Sequence, residues 1–380
     1  MVRVLVFIAI LFPILSQAKQ TICLNMIVKN ETRVIKRCLD SVKPVIDYWV
    51  IVDTGSTDGT QTMIKEYMKD IPGELYEKPW KNFGENRSEA FDLAKGKGDY
   101  ILFIDADDIL EFDEKKSFPE LIHDVYIMWS GTKDFSYKKP QLARGNLPFK
   151  WTGVTHEYLD CAQPYTSAIL DHVRYVSCDD GARSGPEKFM VNISLLEEGL
   201  KNEPKNSRYA FYLAESYRDA GEKGKALQWY QDRAQRGGWE EEVFWSKLQI
   251  GHILRDLGLP NPLVIEAYKD AHAFRLYRCE AVYYLARFYN TIDSHTKAYE
   301  LIKTYFQIPE PSKKDALFNE DWIKRYGLFF ELSICAYYVG QYQESLELCN
   351  TLLEMDLPES LHAQVLINKT YPLAELSRSI

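Results

Sequence analysis

The sequence predicts two units in tandem: a doubly wound α/β domain over residues 19–184 and an all-α helical repeat domain over residues 185–380. Three observations lead there. Short apolar runs alternate with helix-period patterns from Thr21 to about Tyr175, as in a parallel sheet with crossover helices. After about Gly185 the strand pattern stops and Gly and Pro punctuate helices only. Within that second half one turn pattern recurs at near-regular spacing. A chain of 380 residues also suits two cores better than one.

The first half reads in order. Thr21–Val28 is a strand-like run. Glu31–Val42 follows, with Val34, Ile35, Cys38, Leu39 and Val42 on one helical face. Then come strand Tyr48–Val52, helix Thr60–Met68, strand Glu74–Glu77, helix Gly84–Ala94 and strand Tyr100–Ile104. Ile51-Val52 and Ile101-Leu102-Phe103-Ile104 are apolar on both faces, as central parallel strands are. In such sheets ligands bind outside the carboxyl ends of the strands.

In the second half a small residue is followed three later by an apolar or aromatic one, and often four beyond that by Gly. The pattern appears as Ala214–Tyr217–Gly221, Gly251–Leu254–Gly258, Ala286–Tyr289–Asp293 and Ser333–Ala336–Gly340. Its first members lie 37, 35 and 47 residues apart, the last interval containing the insertion IPEPSKKD. Helix pairs of about 34 residues are the tetratricopeptide architecture. The stretches YAFYLAESYRDAGEKGKALQWYQ (209–231) and ELSICAYYVGQYQESLELCNTLL (331–353) resemble such repeats. Small residues let paired helices approach, and aromatics fill the space between layers.

Composition narrows the class. Apolar residues at 46% and charged residues at 27% are globular values, which exclude a disordered chain, a collagen-like fibre and a polytopic membrane protein. A net charge of −9 and a pI of about 5.5 provide no basic surface for nucleic acid. Aromatics at 13% suit helical repeats or a sugar site. The seven cysteines are scattered and lack metal-finger spacing, so they form no disulfide framework; Cys161 and Cys178 could pair in an oxidising compartment. Residues 1–18, MVRVLVFIAILFPILSQA, carry one Arg, a short apolar run and small residues three and one before a cleavage point. This describes a secretory signal peptide, too short and Pro-broken to span a bilayer. It places the protein in a secretory pathway, a periplasm or outside the cell; a start further in would make it cytoplasmic. No other apolar run approaches membrane length. Asn-x-Ser/Thr sequons occur at Asn30, Asn86, Asn192 and Asn368.

Three polar loops collect at one edge of the expected sheet. Strand one ends in Val28-Lys29-Asn30-Glu31. Strand two ends in Asp53-Thr54-Gly55-Ser56-Thr57-Asp58-Gly59-Thr60, where Gly55 and Gly59 permit a tight bend and Ser56, Thr57 and Asp58 can cap the next helix. Strand four ends in Asp105-Ala106-Asp107-Asp108. Three carboxylates in one tetrapeptide repel one another and need a counter-charge, which Mg²⁺ or Mn²⁺ on hard oxygen ligands supplies.

Four segments, ICLNMIVKNE, VIVDTGSTDGT, NRSEA and DYILFIDADD, make residues 20–175 resemble a GT-A nucleotide-diphosphosugar glycosyltransferase of the inverting family 2 type. The resemblance implies a metal-dependent transfer from a nucleotide-sugar donor, most simply a UDP-sugar, to a protein or glycan acceptor. By that resemblance Val28, Asn30 and Glu31 lie beside the nucleoside, and Asp53 accepts from its base, usually uracil. Arg87 matches the basic residue of the A-R-N-x-A segment, which here reads Asn86-Arg87-Ser88-Glu89-Ala90 and departs at its first and third positions. Asp105 and Asp107 match the D-x-D pair, with Ala106 between them beside the donor; Asp105 touches ribose or sugar and the metal, and Asp107 the metal.

WTGVTHEYL (151–159) resembles the W-x-G-x-x-H-E segment of tetratricopeptide-linked members. There Trp151 can stack on a sugar, Glu157 is the candidate general base and His156 orients it or binds acceptor. His172 in AILDHVRY stands where many GT-A proteins carry a third metal ligand, or is a core histidine. Arg183 in GARS can reach the diphosphate from the linker. The repeats would hold the acceptor. Two other readings compete: a secreted interaction protein with a vestigial transferase domain, which the signal segment and altered arginine segment favour, and a glycoside hydrolase, which would also use paired carboxylates.

Overall fold

The computed structural model describes residues 19–113, 117–131, 136–309 and 317–378. The leader read in residues 1–18 lies outside them. The first domain runs β1 (Ile22–Val28), α1 (Ile35–Val42), β2 (Tyr48–Asp53), α2 (Thr60–Tyr67), β3 (Gly73–Glu77), α3 (Phe83–Ala94), β4 (Tyr100–Phe103), β5 (Ile109–Phe112), β6 (Val125–Gly131), β7 (Ser136–Arg144), β8 (Phe149–Thr152), β9 (Tyr158–Cys161) and β10 (Ser167–Val176). Eight of these strands form one mixed sheet in the order β3-β2-β1-β4-β7-β6-β10-β5, and β8 pairs with β9. β1 lies parallel to both β2 and β4, so the chain turns to one side and then to the other of β1. That switch point leaves a crevice where the ends of β1, β2 and β4 meet.

Sequence pattern and burial agree in this half. Ile35, Cys38, Leu39 and Val42 are the buried stripe of α1 against the sheet. This helix starts four residues later than its pattern predicts. Asn30 adopts a left-handed backbone and the next turn is closed by Val34 N–H donating to Glu31 O. Polar stitching holds this turn in place. Asn30 N–H donates to Ser56 Oγ, its Oδ1 accepts from Thr57 N–H, and Glu31 N–H donates to Thr60 Oγ1. α3 begins on Asn82, whose side chain caps Glu85 N–H at 2.9 Å.

The second domain runs α4 (Glu187–Asn202), α5 (Ser207–Asp219), α6 (Lys223–Arg236), α7 (Glu240–Asp256), α8 (Asn261–Phe274), α9 (Cys279–Thr291), α10 (His295–Tyr305), α11 (Leu328–Tyr338), α12 (Tyr342–Leu353) and α13 (Glu359–Arg378). It is a tetratricopeptide-like stack of helix pairs. The small residues of the repeat pattern sit at the pair contacts. Ala214, Ala286 and Ser333 are buried, and a Cβ on Gly251 would come within 2.6 Å of the Tyr268 ring on the partner helix. One core cluster runs from α4 to α11, with Val154 of the first domain packed against it, and Cys349, Leu352 and Val365 of α12 and α13 form a second one. No helix among the described residues is long and apolar enough to cross a membrane. Cys161 and Cys178 are both free thiols, so the pairing considered from sequence is absent.

Candidate active site

The ends of β1, β2 and β4 form the floor of a cleft. At the end of β2, Asp53 is buried. Its Oδ1 accepts from Gly55 N–H at 2.9 Å, Ser56 N–H at 2.8 Å and Gln61 Nε2 at 3.1 Å. Its Oδ2 is buried with no donor among the described residues. An unpaired buried acceptor costs about 1–3 kcal/mol, which a ligand N–H can recover.

At the end of β4 the three carboxylates take three different roles. Asp105 pairs with Arg87 and with Lys139, whose Nζ lies 3.3 Å from Oδ2. Burial alone would raise its pKa, but the Arg87 and Lys139 charges outweigh it and hold the group well below the usual carboxylate range. Its side chain keeps 30% of its surface open, as befits a group on a cleft floor. Asp107 has no such cation. It accepts Gly181 N–H at 3.1 Å, and burial followed by the charge of Asp105 pushes its pKa up. Asp108 is structural. It accepts from Tyr175 OH, from Ser177 Oγ and from Cys178 N–H, tying the end of β10 to the loop, and burial raises its pKa to about 6.

Arg87 is the hub of the cleft. From α3 it reaches Asp105 with Nη2 and Glu157 Oε1 with Nε at 2.5 Å, its guanidinium 5.6 Å from the Trp151 ring centre. Carboxylates on two sides keep it firmly charged. The helix that carries it docks closely on the 153–154 segment: Phe83 and Gly84 N–H donate to Val154 O and Gly153 O. A Cβ on Gly84 would lie 2.3 Å from Gly153 O, a backbone atom that cannot swing away. Gly84→Ala is therefore expected to lower stability by about 1–3 kcal/mol, read as a lower urea midpoint. An unchanged midpoint would mean that the 153–154 segment moves freely.

The remaining sequence-predicted residues fall into two groups. Glu31 joins the cleft. Its Oε2 accepts Ala182 N–H at 3.1 Å, beside the Gly181 amide on Asp107, and burial and the charge of Asp107 raise its pKa to about 7. Glu157 joins it through Arg87. His156 stands where the domains meet: its backbone is left-handed, its carbonyl accepts from Arg208, and its ring stacks on Tyr212 at 4.0 Å. Enclosure between the domains, then the charges of Arg208 and Arg183, lower its pKa to about 3, so the imidazole is neutral.

Others are not presented as expected. Val28 and Ala106 have their side chains in the sheet core, leaving only backbone for a ligand. The Asn30 side chain is committed to Thr57. Arg183 lies on the rim, packed 4.6 Å over Phe83 and donating to Asn192 Oδ1 at 3.1 Å. His172 is not brought to the acidic loop: Val173 and Tyr175 are the buried residues of that stretch of β10, and period-2 alternation turns His172 to the other face. Trp151 is buried edge-on against Phe103 with Arg87 beside it, so it offers no open face for a sugar. Asn86 is wholly buried, with both side-chain atoms bonded to backbone.

Sequence reading missed Lys139 and Tyr175. The signal for Lys139 was alternation along β7, which sets Tyr137 and Lys139 on one face before the register shifts at Gln141.

A mixed sheet with a parallel switch point, an aspartate ending β2 and an acidic loop following β4 is a GT-A-like arrangement. Residues 23–170 match the family model described as Glycosyl transferase family 2, and the chain carries a family 2 glycosyltransferase domain followed by a tetratricopeptide-like one. It is 27% identical over 214 residues to the SPbeta prophage-derived glycosyltransferase SunS of Bacillus subtilis, covering 51% of this chain and 48% of that protein. It is 25% identical over 235 residues to an uncharacterized glycosyltransferase of Rickettsia felis, covering 58% and 78%. The chain thus spans about half the length of the first of these relatives. A tetratricopeptide repeat protein from Parabacteroides merdae aligns with 50% of this chain and 70% of its own, at 15% identity and a TM-score of 0.39.

Proposed function

We propose that the protein transfers a sugar from a nucleotide-diphosphate donor, a UDP-sugar, to a protein or glycan acceptor, with inversion at the anomeric carbon. The observation that carries this reading is the Asp53 carboxylate, with one oxygen saturated by its own turn and the other lacking a donor. A uracil imide N–H would supply it.

The donor set suits a divalent cation of the Mg²⁺ or Mn²⁺ kind. Among the described residues no three His, Cys, Asp or Glu side chains group to cage an ion. Such cations are commonly held by one or two carboxylates together with substrate phosphates and water. Asp107, a carboxylate without a cationic side-chain partner among the described residues, would hold it, with Glu31 nearby. When bound, the ion offsets charge on the departing nucleoside diphosphate.

The chain's own groups do the rest. Arg87 and Lys139 fix Asp105 in its ionised form, so it can accept from sugar or ribose hydroxyls. Arg183, on the rim, swings from Phe83 to the diphosphate. Glu157 has one oxygen on Arg87, which orients it; its other oxygen accepts no hydrogen bond from the described residues and takes the acceptor proton as the hydroxyl attacks. The neutral His156 lines the acceptor side. Calorimetric titration with UDP tests the reading. Binding is expected with Mn²⁺ present and at least about tenfold weaker with chelator, a difference of about 1.4 kcal/mol. No heat of binding under either condition would end it.

A further inference from the structure

Glu157 is carried by the loop 153–157 between β8 and β9. The loop is tight: a Cβ on Gly153 would stand 3.2 Å from Glu157 Cα. Its reversal puts His156 at φ +50°, a left-handed backbone costly for a residue with a Cβ. Such a conformation persists only where the surroundings over-determine it.

The surroundings here belong to the repeat domain. Thr155 Oγ1 donates to Asn192 Oδ1 of α4 at 3.3 Å. From α5, Arg208 donates twice to the His156 carbonyl, with Nε at 3.0 Å and Nη2 at 2.9 Å, and Tyr212 stacks on the His156 ring. Arg208 is itself aimed from behind. Its Nη1 donates to Glu242 Oε1 at 3.2 Å, and the other oxygen of that buried carboxylate accepts from Arg233 Nε at 3.1 Å and Nη2 at 2.9 Å. Arg233 is wholly buried in the repeats. A row of paired charges anchored inside the second domain therefore ends on one carbonyl of the first.

That carbonyl matters because a peptide unit is planar. His156 C=O and Glu157 N–H lie in one plane, so fixing the first sets where the Glu157 side chain begins. On the far side Tyr158 is held by its pairing with Thr152. Between these two anchors Glu157 meets Arg87, Oε1 to Nε at 2.5 Å.

We propose that Arg208 is a positioning residue: the repeat domain sets the direction of Glu157 through the His156 carbonyl, so the cleft is complete only with that domain docked. The consequence for transfer rests on the transferase reading; the placement of Glu157 does not.

The test combines Arg208→Met and Arg208→Lys, each in turn, with Glu157→Gln in the full chain. Arg208→Lys keeps the charge but lacks the planar fork that serves one carbonyl twice while reaching Glu242. In urea, either substitution at Arg208 is expected to shift the midpoint no more than about half as far when Glu157→Gln is already present, because part of its cost is the loosened pair with Arg87. A residue that only joined the two domains would cost the same in both backgrounds, and that result overturns the proposal. Non-additivity confined to Arg208→Met is an effect of charge alone and overturns it too. Should Arg208→Met lose its helical circular dichroism, Arg208→Lys decides by itself. Turnover is read as UDP release from a mixture of UDP-glucose, UDP-galactose and UDP-N-acetylglucosamine with Mn²⁺. Loss of Arg208 is expected to slow release about tenfold, to leave UDP affinity within about twofold, and to slow the Glu157→Gln protein no further. Equal slowing in both backgrounds means that Arg208 does not act through Glu157. An unaltered chain that neither binds UDP nor releases it removes the transferase reading, and the urea midpoints still decide where Arg208 acts.

Discussion

Asp107→Asn is expected to reduce turnover of the sugar nucleotide by about 10³-fold, close to 4 kcal/mol of lost transition-state stabilisation, while leaving the protein as stable as before or slightly more so. The two halves of the result have one cause. In the resting chain the Asp107 charge is disfavoured, because burial and then Asp105 raise its pKa by more than its own backbone amide and that of Gly181 lower it. Removing that charge costs the fold nothing. It does remove a loop carboxylate that, among the described residues, has no cationic side-chain partner and, unlike Asp108, is not committed to the end of β10, and so the one available to a cation on the donor. Donor hydrolysis with Mn²⁺, alongside a thermal melt, reads both halves. Full turnover in the variant would show that the acidic loop is not where the diphosphate is neutralised. A large loss of stability would show that Asp107 holds the structure together.

The second large effect is on the fold itself. Arg87→Met is expected to destabilise the protein by about 3–5 kcal/mol, because it leaves Glu157 and part of Asp105 without their counter-charge in an enclosed cleft. Lysine at the same position cannot reach both carboxylates with a planar fork and should recover only part of the loss. Glu157→Gln in the Arg87→Met background should relieve the orphaned charge. The resulting double-mutant cycle would then give a coupling of about 1–3 kcal/mol from urea midpoints. Additive effects of the two substitutions would mean that the ion pair does not form in solution. The same clamp constrains the chemistry, since Glu157 meets the acceptor with one oxygen already held by Arg87.

Comparing sequence with structure residue by residue shows why some of the site was legible. Asp53, Asp105 and Asp107 could be located because Asp53 ends an apolar strand and the other two lie in the short loop after one, and a strand end in a parallel sheet has a known place. The turn between Asp53 and Thr60 was equally readable from its glycines and short polar side chains. The two readings open for His172, metal ligand or core histidine, and the stacking role read for Trp151 could not be decided locally. Each needed the parity of a strand whose register is set by its neighbours, and β10 carries an irregularity between Ile169 and Arg174. Val28 and Ala106 lie in motifs that do reach the cleft, yet their side chains are buried in the core.

The local periods of the chain by themselves determined the two domains, the order of the first four strands, the repeat contacts at Ala214, Gly251, Ala286 and Ser333, and the acidic loop. These properties depend on neighbours a few residues away. Only the tertiary structure decided how the charges are shared: that Arg87 joins Asp105 to Glu157, that Lys139 completes the cluster, that Gly181 and Ala182 cover Asp107 and Glu31, and that Phe318 sits between the repeat helices and β7. Those pairs lie from 18 to well over a hundred residues apart in the chain. No local pattern encodes them, because what selects them is the cost of leaving a charge or an aromatic ring unpartnered once the two cores have closed.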